Sequence, residues 1–190
     1  LSLSLYRMSL TQPFPHCEGG TLRSCPGVQN TTLRYHTQTL DHFNWHNHPN
    51  LPKGTFQQRV FTHTQWWKKT QPIFFYFGNE DDVELYVNHT GIMWEAARPF
   101  GAALVFAEHR YYGQSLPFAP GAKDCMQFLT TERAMADFAG VIYALRDEWD
   151  AWDSKVIGFG GSYGGMLGSW FRVHYPNAID GVIAASAPIW

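Results

Sequence analysis

The chain has 190 residues, 45% hydrophobic and 16% aromatic, with a formal net charge of −2. That length can bury one good core, and the composition belongs to a globular protein, not a disordered one. The charge offers no electrostatic basis for binding nucleic acid, and no apolar run approaches the roughly 20 residues of a membrane-spanning helix. Nine histidines make the surface charge strongly dependent on compartment pH.

Residues 1–8 lack an initiator methionine and a full signal-peptide core, so the start is expected to be cut or processed. Residues 1–34, rich in Ser, Thr, Pro and Gly, read as an irregular lead-in. Asn30-Thr31-Thr32 and Asn88-His89-Thr90 satisfy the N-glycosylation rule and favour a secretory route, with Asn30 and Asn88 as acceptors. Cys17 and Cys25 could close a short disulfide loop, which leaves Cys125 to a partner outside this segment.

Two strand-like stretches follow, 35–41 and 56–62, and the loop 44–54 between them makes an antiparallel pair. After Pro72, apolar runs at 73–77, 102–107, 155–159 and 181–185 have the length of buried strands. A short helix is expected around 93–97, ended by Pro99. A longer one covers 132–148, where Met135, Phe138, Val141, Ile142 and Leu145 recur at helical spacing. A third runs over 163–175 and stops before Pro176. This alternation predicts an α/β fold with a mostly parallel sheet and helices on both faces. Nothing in the chain calls for a cofactor or a metal.

The chemistry concentrates in Val156-Ile157-Gly158-Phe159-Gly160-Gly161-Ser162-Tyr163-Gly164-Gly165-Met166. An apolar run stops at glycines, presents one serine and restarts as a helix, the G-x-S-x-G layout of a nucleophile on a strand-to-helix turn. Side chains at Gly160 and Gly164 would collide with the neighbouring strand or helix. Ser162 is thus the candidate nucleophile for acyl transfer. The Tyr163 N–H would supply one oxyanion donor and the Gly78–Asn79 loop the other. Met166, four residues past Ser162 on the same helix face, could line an acyl-side pocket or be an ordinary core methionine. Glu80 and Asp81 could bind a substrate amino group or form a loop salt bridge, for example with Arg110. His109 stands at the edge of the sheet where a base could sit, but its neighbours Arg110, Tyr111 and Tyr112 suggest instead a hydrogen-bonded structural loop.

A serine hydroxyl needs a base and the base an orienting acid, in the chain order Ser, Asp, His on this type of fold. Only His174 and Asp180 follow Ser162. Twelve helical residues at about 1.5 Å each place His174 roughly 18 Å away. Asp180 precedes the last strand, at the opposite sheet edge. The missing Asp and His are therefore expected beyond Trp190, and the 190 residues alone are expected to lack full activity.

Asp41-His42-Phe43, Gly78-Asn79-Glu80, the run from Val105 to Gly113, Gly160–Met166 and Ala184-Ala185-Ser186-Ala187-Pro188 carry a resemblance. Over residues 35–190 the chain resembles the serine peptidase family of lysosomal Pro-X carboxypeptidase and dipeptidyl peptidase II, and Gly91-Ile92-Met93-Trp94 leans to the carboxypeptidase branch. The resemblance implies an α/β-hydrolase domain of which 35–190 is the N-terminal portion, with the cap and last strands still to follow. It implies exopeptidase cleavage beside proline through Ser162, with Met166 lining the proline pocket, in lysosomes or after secretion. The expected partner is a peptide with proline near a terminus, without nucleic acid or membrane, and with room for a homodimer. The competing readings are an esterase or lipase on the same fold and a non-catalytic truncated homologue.

Overall fold

Ile73–Phe77 is five apolar residues in a row, with no polar face to offer water, so the run must be covered on both sides. In the computed structural model, which describes residues 26–43, 54–119, 121 and 125–189 (Cys125 by its backbone alone), it is strand β3 at the heart of a six-stranded sheet. Cys17, Cys25 and any pairing with Cys125 lie outside the described residues, as does nearly all of the 44–54 loop. The strands are β1 (Thr32–Thr39), β2 (Thr55–His63), β3, β4 (Ala103–Ala107), β5 (Val156–Gly161) and β6 (Gly181–Ala185), in the spatial order β1-β2-β4-β3-β5-β6. β1 pairs antiparallel with β2, and β2 antiparallel with β4. β4, β3, β5 and β6 run parallel.

The helices are α1 (Val83–His89), α2 (Gly91–Phe100), α3 (Thr131–Glu148) and α4 (Tyr163–His174). Side chains alternate across a strand. Ile73, Phe75 and Phe77 therefore enter one core layer with α3 and α4, while Phe74 and Tyr76 enter the other with α1 and α2. Phe138 of α3 meets Phe75 and Phe77 edge-on, at centroid distances of 5.9 and 5.3 Å. Each such fully buried phenylalanine stabilises the fold by about 2–3 kcal/mol. The predicted apolar face of α3 is buried throughout, and Thr130 caps its start by accepting the Arg133 N–H at 3.3 Å.

Three expectations change. Strand β1 begins at Thr32, inside the stretch read as irregular lead-in, because an edge strand with exposed Leu33 and Tyr35 lacks the apolar signature of a buried one. Pro99 does not end α2. It sits in the last turn, and the helix closes at Gly101, whose φ of 59° lets Gly101 N–H reach Arg98 O and Ala102 N–H reach Ala97 O. Helix α1 was not expected at all, although Asp82 caps it through the Glu84 N–H at 2.9 Å and Val83 and Val87 bury one face.

The connection leaving β3 crosses one sheet face to β4 on one side, while α4 carries the chain from β5 over the other face to β6. The connections from β3 and β5 thus diverge to opposite faces, and the carboxyl ends of these two strands mark the place where sheets of this kind bind ligands. Among the described residues no helix is long and apolar enough to cross a membrane.

Candidate active site

At the end of β5 the chain must reverse into α4 within one residue, and Ser162 takes that turn with φ 52° and ψ −122°. Its N–H donates to Ala185 O of the neighbouring strand at 2.9 Å, and its carbonyl accepts the Met166 N–H at 3.0 Å. The residue is exposed to solvent. A Cβ on Gly160 would stand 2.3 Å from Gly164 O, and one on Gly164 would stand 2.7 Å from Phe77 O. The two glycines let the new helix press against both β5 and β3.

That contact brings the turn after β3 to the serine. Asn79, 6% exposed, donates from Nδ2 to Gly161 O at 3.3 Å, and its carbonyl accepts the Asp81 N–H at 2.9 Å. Among the described residues its buried Oδ1 has no hydrogen-bond partner. Tyr163 opens α4, so its N–H has no preceding helical turn to accept it, and the helix dipole places partial positive charge there. Met166 lies half-buried one turn further on.

Glu80 is exposed on the lip of an open cleft of about 300 Å³, shared with Tyr112, Leu129, Thr130, Thr131 and Tyr163. The salt bridge considered between this loop and Arg110 does not form. Arg110 is fully buried on Asp137, with Nε–Oδ2 and Nη2–Oδ1 both at 2.7 Å, and it also donates to the carbonyls of Leu40, Phe128 and Thr39. His42 Nε2 lies 2.7 Å from the same Asp137 Oδ1. The buried carboxylate needs a fixed planar donor, and the fork of Arg110 reaches it first.

His109 is a structural member of this layer, as the sequence suggests. Its Nδ1 lies 2.7 Å from Arg110 O and its Nε2 3.2 Å from Tyr163 Oη. Burial holds its pKa below the ordinary 6.5. Asp180 accepts the Val156 N–H at 2.9 Å, a strand length from Ser162, and His174 ends α4 in solvent. Among the described residues no imidazole bonds the Ser162 hydroxyl.

Sequence reasoning missed a second buried charge cluster under the site. The Glu108 carboxylate accepts Arg59 Nη2 at 2.6 Å, Arg59 Nε and Val83 N–H at 3.1 Å, and the N–H groups of Gln114 and Ser115 at 3.0 and 2.9 Å. It thereby ties the loop after β4 to the start of α1. The available signal was an arginine in β2 standing directly before the apolar pair Val60-Phe61. Tyr112 and Thr131, which share the Glu80 cleft, were missed because Tyr112 lies in a loop with no period to read and Thr131 opens α3 just ahead of the apolar spacing that marks the helix.

Comparison with known proteins places this geometry in context. Residues 38–190 match the family described as Serine carboxypeptidase S28. Lysosomal Pro-X carboxypeptidase of Homo sapiens is 49% identical over 173 residues, covering 88% of this chain and 34% of the relative. The Mus musculus protein of the same name is 42% identical over 181 residues, covering 93% and 36%. The chain thus spans about a third of the length of these curated relatives. Among solved structures, the proline iminopeptidase of Mycobacterium smegmatis superposes with a TM-score of 0.53 at 17% identity, over 80% of this chain and 44% of that one. That likeness shows a common fold, the α/β-hydrolase core.

Proposed function

The chain belongs to the serine carboxypeptidase S28 family, and from that premise we propose that the full-length protein is a serine exopeptidase that cleaves peptides beside proline. Ser162 attacks the carbonyl of the residue before the scissile bond, forms an ester and releases the distal part of the peptide; water then hydrolyses the ester. The observation that carries this reading is the turn itself. An exposed serine with φ 52° stands on a strand-to-helix junction at a helix N-terminus, with the Asn79 turn packed against it. The Tyr163 and Asn79 N–H groups stabilise the developing oxyanion.

Met166 and Glu80 contribute to the substrate pocket. Proline offers a ring and no N–H, so shape and apolar contact must recognise it, and a thioether beside the nucleophile suits that task. Glu80 on the cleft lip would face the charged or polar part of the peptide. The base and its orienting acid come from the part of the protein that this chain does not span. A lysosomal or secreted location follows the name of the human relative. It is supported by the two exposed sequon asparagines, whose side-chain oxygens accept backbone N–H groups, Asn30 Oδ1 from Gly27 at 3.2 Å and Asn88 Oδ1 from Val28 at 3.1 Å.

The test is labelling with a serine-reactive fluorophosphonate together with turnover of a Pro-X peptide. The full-length protein should label and cleave, Ser162→Ala should do neither, and the 190-residue chain should label far more slowly. Turnover of short-chain esters without peptide cleavage would overturn the peptidase reading, and equal labelling of the 190 residues would overturn the placement of the base.

A further inference from the structure

We infer that His109 is a positioning residue for acyl transfer: it clamps the Tyr163 side chain and so aims the Tyr163 N–H at the reacting carbonyl oxygen. The inference rests on Ser162 as nucleophile and the Tyr163 N–H as oxyanion donor. His109 follows β4 and is 1% exposed. Its Nδ1 faces the Arg110 carbonyl at 2.7 Å, and a carbonyl only accepts, so Nδ1 carries the ring proton. Burial keeps the ring neutral near pH 7, which leaves Nε2 as an acceptor. The Tyr163 hydroxyl, 3.2 Å away, donates to it. Burial also raises the pKa of that phenol, so the donor keeps its proton.

The imidazole has little freedom to turn. Tyr112, Tyr163 and Phe138 surround it at centroid distances of 5.2, 5.6 and 6.2 Å. Arg110, whose carbonyl selects the tautomer, is itself locked on Asp137. A continuous run of contacts therefore leads from a buried ion pair through His109 to the first residue of α4. Tyr163 is the immediate neighbour of Ser162, so holding its ring restrains rotation of the peptide unit between them, which carries the donor. The restraint matters because the turn is strained and exposed at the carboxyl end of β5, where a small tilt misdirects an oxyanion donor.

The experiment uses the full-length protein, with turnover read on a Pro-X peptide, or on a short-chain ester if only esters react. Tyr163→Phe and His109→Phe should each lower kcat roughly tenfold with KM within about twofold, a fraction of what loss of the donor itself would cause. The double variant should fall no lower than the worse single one, because both remove one clamp. His109→Gln, which can still donate to Arg110 O and accept from Tyr163, should recover most of kcat. Multiplying losses, losses confined to KM, or a Tyr163→Phe enzyme within twofold of wild type would overturn the inference. If His109→Phe does not fold, Tyr163→Phe and His109→Gln still decide the matter. Should Ser162→Ala stay active, the nucleophile reading falls; should it be inactive while Tyr163→Phe is unimpaired, only the role of His109 falls.

Discussion

Ser162 holds a backbone conformation that side chains other than hydrogen rarely adopt, and such strain costs on the order of 1–3 kcal/mol. The tertiary contacts that impose it are the 2.9 Å bond to Ala185 O and the close packing at Gly160 and Gly164. Ser162→Gly should therefore relieve strain, partly offset by the greater entropy of an unfolded glycine, for a net gain of about 1 kcal/mol with loss of all acyl transfer. Ser162→Ala should lose activity without that gain. Denaturant midpoints of the two variants check this, and a glycine variant less stable than the alanine one would refute the strain. At this scale the sequence is most legible, because the turn is written in eleven consecutive residues. Asn79 could be placed only as a loop donor; its contact with Gly161 needs β3 beside β5.

Among the elements, the Arg110–Asp137 pair joins α3 to the end of β1 and to the loop after β4. Both side chains are fully buried, so Asp137→Ala would leave a guanidinium without its counter-charge and should destabilise by about 3–5 kcal/mol. The exposed Lys69–Asp150 pair serves as the contrast: water and salt screen it, so Lys69→Ala should cost far less. Urea unfolding of both variants tests the difference, and equal costs would contradict the burial argument. Helix α3 could be read in advance because its apolar spacing is a local property. Helix α1 escaped because seven residues with two buried valines give too short a period to stand out. The end of α2 was misjudged because Pro99 in a final turn removes a single hydrogen bond, which the Gly101 cap then outweighs.

For the molecule as a whole, acid should act first through the buried imidazole of His109 and the half-buried one of His36. Burial lowers the pKa of His109 and, against an opposing pull from Asp137, of His36. The unfolded chain therefore binds protons that the folded one refuses once pH falls below 6.5. Their contribution to stability is complete above that value and is lost as pH drops toward the folded pKa values. Melting temperature should decline from pH 6.5 downward, and His109→Gln should flatten the decline; an unchanged slope would show that His109 carries none of it. What the amino-acid order determined alone is the alternation of buried strands and helices and the serine turn, since both arise between residues close along the chain. Which charges meet was decided only by the tertiary structure. Arg59 finds Glu108, Arg110 finds Asp137 and His109 finds Tyr163 because β4 lies between β2 and β3, and no spacing rule links partners from 27 to 54 residues apart whose pairing depends on strand order.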